Sequence, residues 1–246
     1  MFAEFPLFVF TVLGGIAAGA TLAAALFPLS DAKTRLRFDV ACLALLALGG
    51  VALMFHLGHP ERLLYAFSNP GAGITLEGYA SVLFGVLLVV EVLLGWRKGE
   101  CPRAVSLLAG IAGALLLAAM GFAYSQFVGI AGWGGPASFC LFFLGALGSG
   151  ALLPVLFDGQ LIANRSYVTC AVACQVVSAC SFAAICAQFV GAGFSPILFV
   201  LGIVASAAAA VFTWRMKPEG STPSPAVIFA VSVVALVLVR YAFYCV

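Results

Sequence analysis

Both histidines of the chain, His56 and His59, stand three residues apart in the stretch His56-Leu57-Gly58-His59-Pro60-Glu61-Arg62, and Glu77 follows at the head of the next apolar run. Charged residues are only 8% of the chain. Ionisable side chains at the margin of an apolar span are costly to keep, so a cluster of them marks function by default. Imidazole exchanges protons near neutral pH. A carboxylate nearby can orient it or take a second proton, so the chemistry on offer is acid–base work on a ligand held at the edge of a bundle. Bland uses compete: His56 can bond an interfacial carbonyl, and Glu77 can complement the dipole of its own helix.

Haem and metal fit these residues poorly. Axial imidazoles must approach an iron from opposite faces, which His56 and His59 at one helix end do not do for a single iron. No haem is expected, and H-x-x-H without further ligands predicts no metal site. The eight cysteines (42, 101, 140, 170, 174, 180, 186 and 245) lie mostly in apolar runs and form no C-x-x-C pair, so no iron–sulfur cluster is expected in this chain. Cys170 and Cys174 share a helical face and have the spacing to pair or hold metal, but read as small packing residues.

The elements that must position these groups are membrane helices. With 246 residues, 64% of them apolar, and a mean hydropathy of +1.20, the chain lies far outside the soluble range. A span needs about 20 mostly apolar residues, and eight segments qualify: 5–28, 37–57, 77–96, 104–127, 137–157, 167–190, 196–215 and 225–245. The runs are continuous rather than alternating, so the expected fold is an all-α bundle of eight transmembrane helices forming one domain over 1–246. The first run lacks a basic leader and is longer than a signal-peptide core, and is expected to be retained as a span.

Loop charge gives the orientation. Lys33, Arg35, Arg37, Arg97, Lys98, Arg103, Arg165, Arg215 and Lys217 fall on one side, nine of the 11 basic residues, leaving Arg62 and Arg240 opposite. The basic side is cytoplasmic by this rule, so both termini and the histidine stretch face outward. Nothing in the scattered charges suggests a nucleic-acid footprint. The 58–76 connection is the longest, with an interfacial helical turn expected at 62–67 and a tight turn at Asn69-Pro70-Gly71. Trp133 falls in an outer loop. Small-residue pairs (Gly15 and Gly19, Ala109 and Gly113, Ala146 and Gly150, the 207–210 alanines) predict close helix packing, and no internal repeat is evident. Asp39 is expected to serve its own helix start and Glu91 to reach Arg97 or Lys98. Arg240, beside Tyr241 and Tyr244, is placed either to snorkel or to line the outer site.

The segment His56-Leu57-Gly58-x-Pro60-x-Arg62, with Ile74-Thr75-x-Glu77 at the head of the third helix, resembles the signature of the dimethyl sulfoxide reductase membrane anchor family, and Arg240-x-x-Phe243-Tyr244 is similar to that family's last helix. The motif covers about 22 residues; the eight-span layout extends the likeness to the whole chain. The resemblance implies a haem-free anchor in a prokaryotic cytoplasmic membrane. It would oxidise menaquinol and pass electrons to an iron–sulfur subunit that feeds a molybdopterin catalytic subunit, both docked on the outer face. The family's histidine and glutamate fall on His56 and Glu77 as the proton acceptors and its arginine on Arg62, with His59, Arg240 and Tyr241 as supporting contacts. Trp133 would anchor the partner, since aromatics are favoured at interfaces. Terminal reduction would belong to another chain. Two alternatives are the anchor of another molybdenum reductase, for polysulfide, nitrogenous or aromatic acceptors, and a proton-coupled transporter; the absence of mid-span ionisable residues speaks against the transporter.

Overall fold

The computed structural model describes residues 4–55, 69, 71–218 and 223–245. His56, His59 and Arg62, with the turn expected at 62–67, lie outside them. Nine α-helices are described: α1 (Phe5–Leu26), α2 (Ala32–Met54), α3 (Gly73–Lys98), α4 (Arg103–Ser125), α5 (Pro136–Leu144), α6 (Leu147–Phe157), α7 (Arg165–Gly191), α8 (Ile197–Trp214) and α9 (Pro225–Tyr244). With α5 and α6 taken together as one span, eight segments are long and apolar enough to cross a membrane. The chain is an all-α, multi-pass membrane protein.

Helix starts depart from the hydropathy boundaries where polar caps extend the helix beyond its apolar run. The Asp31 side chain accepts the Lys33 and Thr34 backbone N–H groups at 3.0 and 2.9 Å, so α2 begins at Ala32 and carries Lys33, Arg35 and Arg37 as helical residues. The Ala72 N–H bonds the Asn69 carbonyl at 3.1 Å, closing a turn there. α3 then starts at Gly73, which sets Glu77 just past the first turn instead of at the first residue.

The fifth span is broken. Gly145 and Ala146 separate α5 from α6, and the freed backbone groups are taken up from other helices: Ser178 Oγ stands 3.0 Å from both the Leu144 carbonyl and the Gly148 N–H, and Arg240 Nη2 lies 3.5 Å from the Leu141 and Phe142 carbonyls. Irregular backbone at membrane depth is tolerated only where protein re-satisfies it in this way.

Helices α1–α4 form one antiparallel half and α5–α9 another, joined where α1 meets α6 and α4 meets α5. At the joint Gly19 faces Ala146 and Gly150, and a Cβ on Gly150 would lie 2.7 Å from the Gly19 backbone, so the anticipated small-residue pairing is what lets the halves meet. The second half is tied internally by a buried amide: Gln175 Nε2 donates to Ser232 Oγ at 2.8 Å, and Ser206 Oγ donates to the Gln175 carbonyl at 3.1 Å.

Candidate functional site

Among the described residues, a cavity of about 570 Å³ opens inside the first half, at the end holding the α2–α3 and α4–α5 connections. That volume lies within the range of small-molecule pockets. Leu7 and Phe10 of α1, Leu53 and Met54 of α2, Ile74 and Val82 of α3 and Ala123 of α4 make an apolar lining. Gly50 meets nothing within 4 Å of where a Cβ would stand, so the missing side chain is part of the space. Polar groups on the wall are few: Glu4, Thr75, Glu77, Ser81 and Tyr124.

Glu77 is only 7% exposed, and its Oε1 has no hydrogen-bond partner among the described residues. A buried polar atom left unpaired costs about 1–3 kcal/mol, more when charged. Glu77 is carried by α3, where Ser81 Oγ donates to the Glu77 backbone carbonyl at 2.7 Å and not to the carboxylate. An apolar space with the Glu77 carboxylate on its wall can bind a ligand with a hydroxyl or N–H and accept its proton.

Behind the cavity lies the counter-charge. Arg240 is completely buried, with its guanidinium carbon 3.7 Å from the centre of the Phe142 ring and its Nε and Nη1 unpartnered. Glu77 feels its charge, yet the two make no direct ion pair. An aromatic wall stands at this junction of the halves: Tyr124 stacks on Phe142 with centroids 4.1 Å apart and meets Trp133 edge-on at 5.7 Å, and Trp133 stacks on Phe243 at 4.9 Å. Trp133 Nε1 donates to the Phe243 carbonyl at 2.8 Å. The Tyr244 hydroxyl reaches Thr11 of α1 at 3.4 Å, tying the last helix to the first.

Three sequence expectations change here. Trp133 is 3% exposed, bonded to the Phe243 carbonyl, and forms part of the cavity wall instead of standing out in an outer loop. Tyr241 is 42% exposed while Tyr244 is 2% exposed, because residues four apart share a helical face and Tyr241 is rotated off the face of Arg240. Arg240 is fully buried and not among the residues lining the cavity; it lies over Phe142, on which the wall residue Tyr124 stacks. Glu4 and Tyr124 do not stand out in the sequence as site residues, and Thr75 does so only as part of the Ile74-Thr75-x-Glu77 motif. Tyr124 does carry a signal, a phenol at the end of a span bordering the Trp133 loop.

A second cluster of buried charge occupies the opposite end of the first half. Arg35 Nε donates to Asp39 Oδ1 at 2.7 Å, and Arg35 Nη2 donates to Glu91 Oε1. Glu91 therefore pairs across to α2 and not along its own helix with Arg97 or Lys98, and the helix start expected of Asp39 is capped by Asp31. Cys101 Sγ lies 4.0 Å from Glu91 Oε1, and Ser106 Oγ lies 3.7 Å from Cys101 Sγ. Burial pushes the Cys101 thiol above its ordinary range, so it is a poor nucleophile. Among the described residues no group of three or more His, Cys, Asp or Glu is placed to hold a metal ion. Compared with known proteins, the chain matches no family model and no curated relative.

Proposed function

We propose that the chain is the membrane anchor subunit of a molybdoenzyme of the dimethyl sulfoxide reductase type, binding menaquinol in the 570 Å³ cavity and oxidising it there. The observation that carries this reading is Glu77, buried on the wall of an apolar, aromatic-backed space with its Oε1 unpartnered among the described residues. Quinol oxidation to quinone releases two electrons and two protons. Glu77 accepts one proton from a ring hydroxyl; the other goes to His56, which precedes the cavity in sequence. The electrons leave to an iron–sulfur subunit docked over this end, which feeds a molybdopterin subunit where the terminal acceptor is reduced. Loop charge supports placing this end outside a prokaryotic cytoplasmic membrane. The chain itself needs only to bind, orient and deprotonate: the aromatic wall flanks a planar ring, and the Glu77 carboxylate on the wall takes the proton.

The test is tryptophan fluorescence of the purified chain in nanodiscs, titrated with a short-tailed menaquinone analogue, because Trp133 borders the cavity. Saturable quenching is expected. It should be lost in Gly50→Leu, whose new side chain has open space to enter. Quenching that never saturates, or that Gly50→Leu leaves unchanged in a folded protein, would overturn the site.

A further inference from the structure

The triad at the other end of the first half does not balance its charge. Arg35 is its one cation, and it faces two carboxylates, Asp39 and Glu91, both buried. Each carboxylate spends one oxygen on Arg35. Among the described residues the other oxygens, Asp39 Oδ2 and Glu91 Oε2, are enclosed and without a hydrogen-bond partner, while the Ser106 hydroxyl stands beside Glu91. Thr21 belongs to the same interior: the Cys42 thiol of α2 adjoins it and feels Asp39, Glu91 and Arg35. Two helices, α2 and α3, thus bury carboxylate oxygens in a region that holds one negative charge too many.

The groups facing the pair are few. α1 brings Thr21, α2 brings Arg35 and Cys42, the α3–α4 connection brings Cys101, and α4 brings Ser106. Arg103 is nearby, but its Nη2 lies 3.5 Å from the Leu26 carbonyl. None supplies a second positive charge. Burying an uncompensated charge costs far more than neutralising it.

A route to solvent adjoins the cluster. A cavity of about 220 Å³ is walled by Arg35, Cys101 and Ser106 on its inner side and by Ser30, Asp31, Glu100 and Arg103 towards its rim. Arg35 of the triad, with Cys101 and Ser106 beside it, thus forms the boundary between the buried carboxylates and this polar opening.

We propose that Asp39 and Glu91 hold one proton between them, exchanged with the aqueous phase at the Lys- and Arg-rich end through this cavity, so that the triad is a buried proton-binding site and not a plain ion pair. The proton moves from a hydronium ion or water in the opening to Oδ2 or Oε2, making an O–H bond there and breaking one to water, with no change of oxidation state. The new O–H is a donor where the unpartnered oxygens had none. This inference rests on the α1–α4 half alone and stands whether or not the other cavity takes a quinol.

Infrared spectroscopy of the full chain in nanodiscs reads it directly. At neutral pH the native protein should show the carbonyl stretch of a protonated carboxyl, and changing the sodium or potassium concentration should leave that band in place. Glu77→Gln should also keep the band, which separates it from the other buried acid. Asp39→Asn and Glu91→Gln should each abolish it while leaving a folded helical protein, because one carboxylate and Arg35 then balance. The double variant should melt well below either single one, since Arg35 loses both partners. Three outcomes overturn the proposal: no protonated carboxyl in the native protein at neutral pH, a band that survives both single substitutions, or a band displaced by sodium or potassium, which would make the occupant an alkali cation. The native spectrum with and without alkali ions decides the question even where a variant fails to fold.

Discussion

Glu77 and Glu91 sit on the same helix, about 21 Å apart along its axis at 1.5 Å per residue, and both are buried. Glu91 meets its counter-charge directly, through Arg35. Glu77 faces a cavity, and its counter-charge, Arg240, is held behind an aromatic layer. A buried acid tied to an arginine from the neighbouring helix locks α2 to α3. One whose arginine is withheld, on a residue that lines an open cavity, has its electrostatics unfinished until something enters. Burial alone does not separate the two carboxylates; where the partner stands does.

The strongest way to break this contrast is to neutralise Glu77. Glu77→Gln keeps the shape and removes the proton acceptor. We expect quinol-driven electron transfer through the assembled complex to fall about 10²–10⁴-fold, the usual worth of a positioned acid or base. Thermal stability should hardly move, since Oε1 has no partner to lose. Activity driven by an artificial dye, which bypasses the anchor, should persist. A variant that unfolds, or that transfers electrons at the native rate, would erase the distinction between the two ends.

Arg35→Gln is the converse. Removing the one cation leaves two carboxylates buried together, and breaking a buried pair from one side costs about 3–5 kcal/mol. The expected result is a large drop in melting temperature in detergent, with the cavity end affected only as far as the fold fails. A variant as stable as the native protein would show that Asp39 and Glu91 do not depend on Arg35.

These two ends are unequally legible in sequence. The spans are readable because an unbroken apolar run of about 20 residues matches the thickness of a bilayer and exceeds what a soluble core helix needs. The start of α2 is misplaced by hydropathy because Lys33, Arg35 and Arg37 read as loop, although Ser30-Asp31 just before them is a cap signal. The break at Gly145 leaves no trace in hydropathy, since apolar residues continue through it. Glu77 stands out as a lone acid beside a polar loop. The Arg35–Glu91 pair does not, because 56 residues separate its partners and only the packing of α2 on α3 unites them. Tyr244, in contrast, is within reach: four residues after Arg240 is the same helical face.

Trp133 sharpens the comparison at smaller scale, because it helps build the wall that keeps Arg240 back. Trp133→Phe keeps an aromatic ring but loses the N–H bond to the buried Phe243 carbonyl. Leaving that carbonyl unpaired should cost about 1–3 kcal/mol, less than Arg35→Gln, and unfolding in denaturant measures it. A loss as large as that of Arg35→Gln would mean that the wall, and not the ion pair, is the main brace of the first half.

The smallest effect is expected at Asp31, which asks whether charge without burial matters at all. It lies at the same end as Arg35 and Glu91 but is exposed. Its hydrogen bonds to Thr34, and then to the Lys33 N–H, hold its carboxyl below the ordinary carboxylate range. The sign follows: a carboxyl depressed in the folded state contributes stability that is present at neutral pH and lost as the pH falls through its folded-state value. Asp31→Asn keeps an acceptor oxygen for the cap but cannot titrate, so its melting temperature should match the native protein near neutrality and decline slightly less on acidification. Solvent screens exposed charges, so the difference should be small. Melting curves of the two proteins across the acid range provide the check. If Asp31→Asn costs as much at neutral pH as Arg35→Gln, then an exposed cap matters as much as a buried cation, and the location of charge relative to the core no longer explains how the two ends of α3 differ.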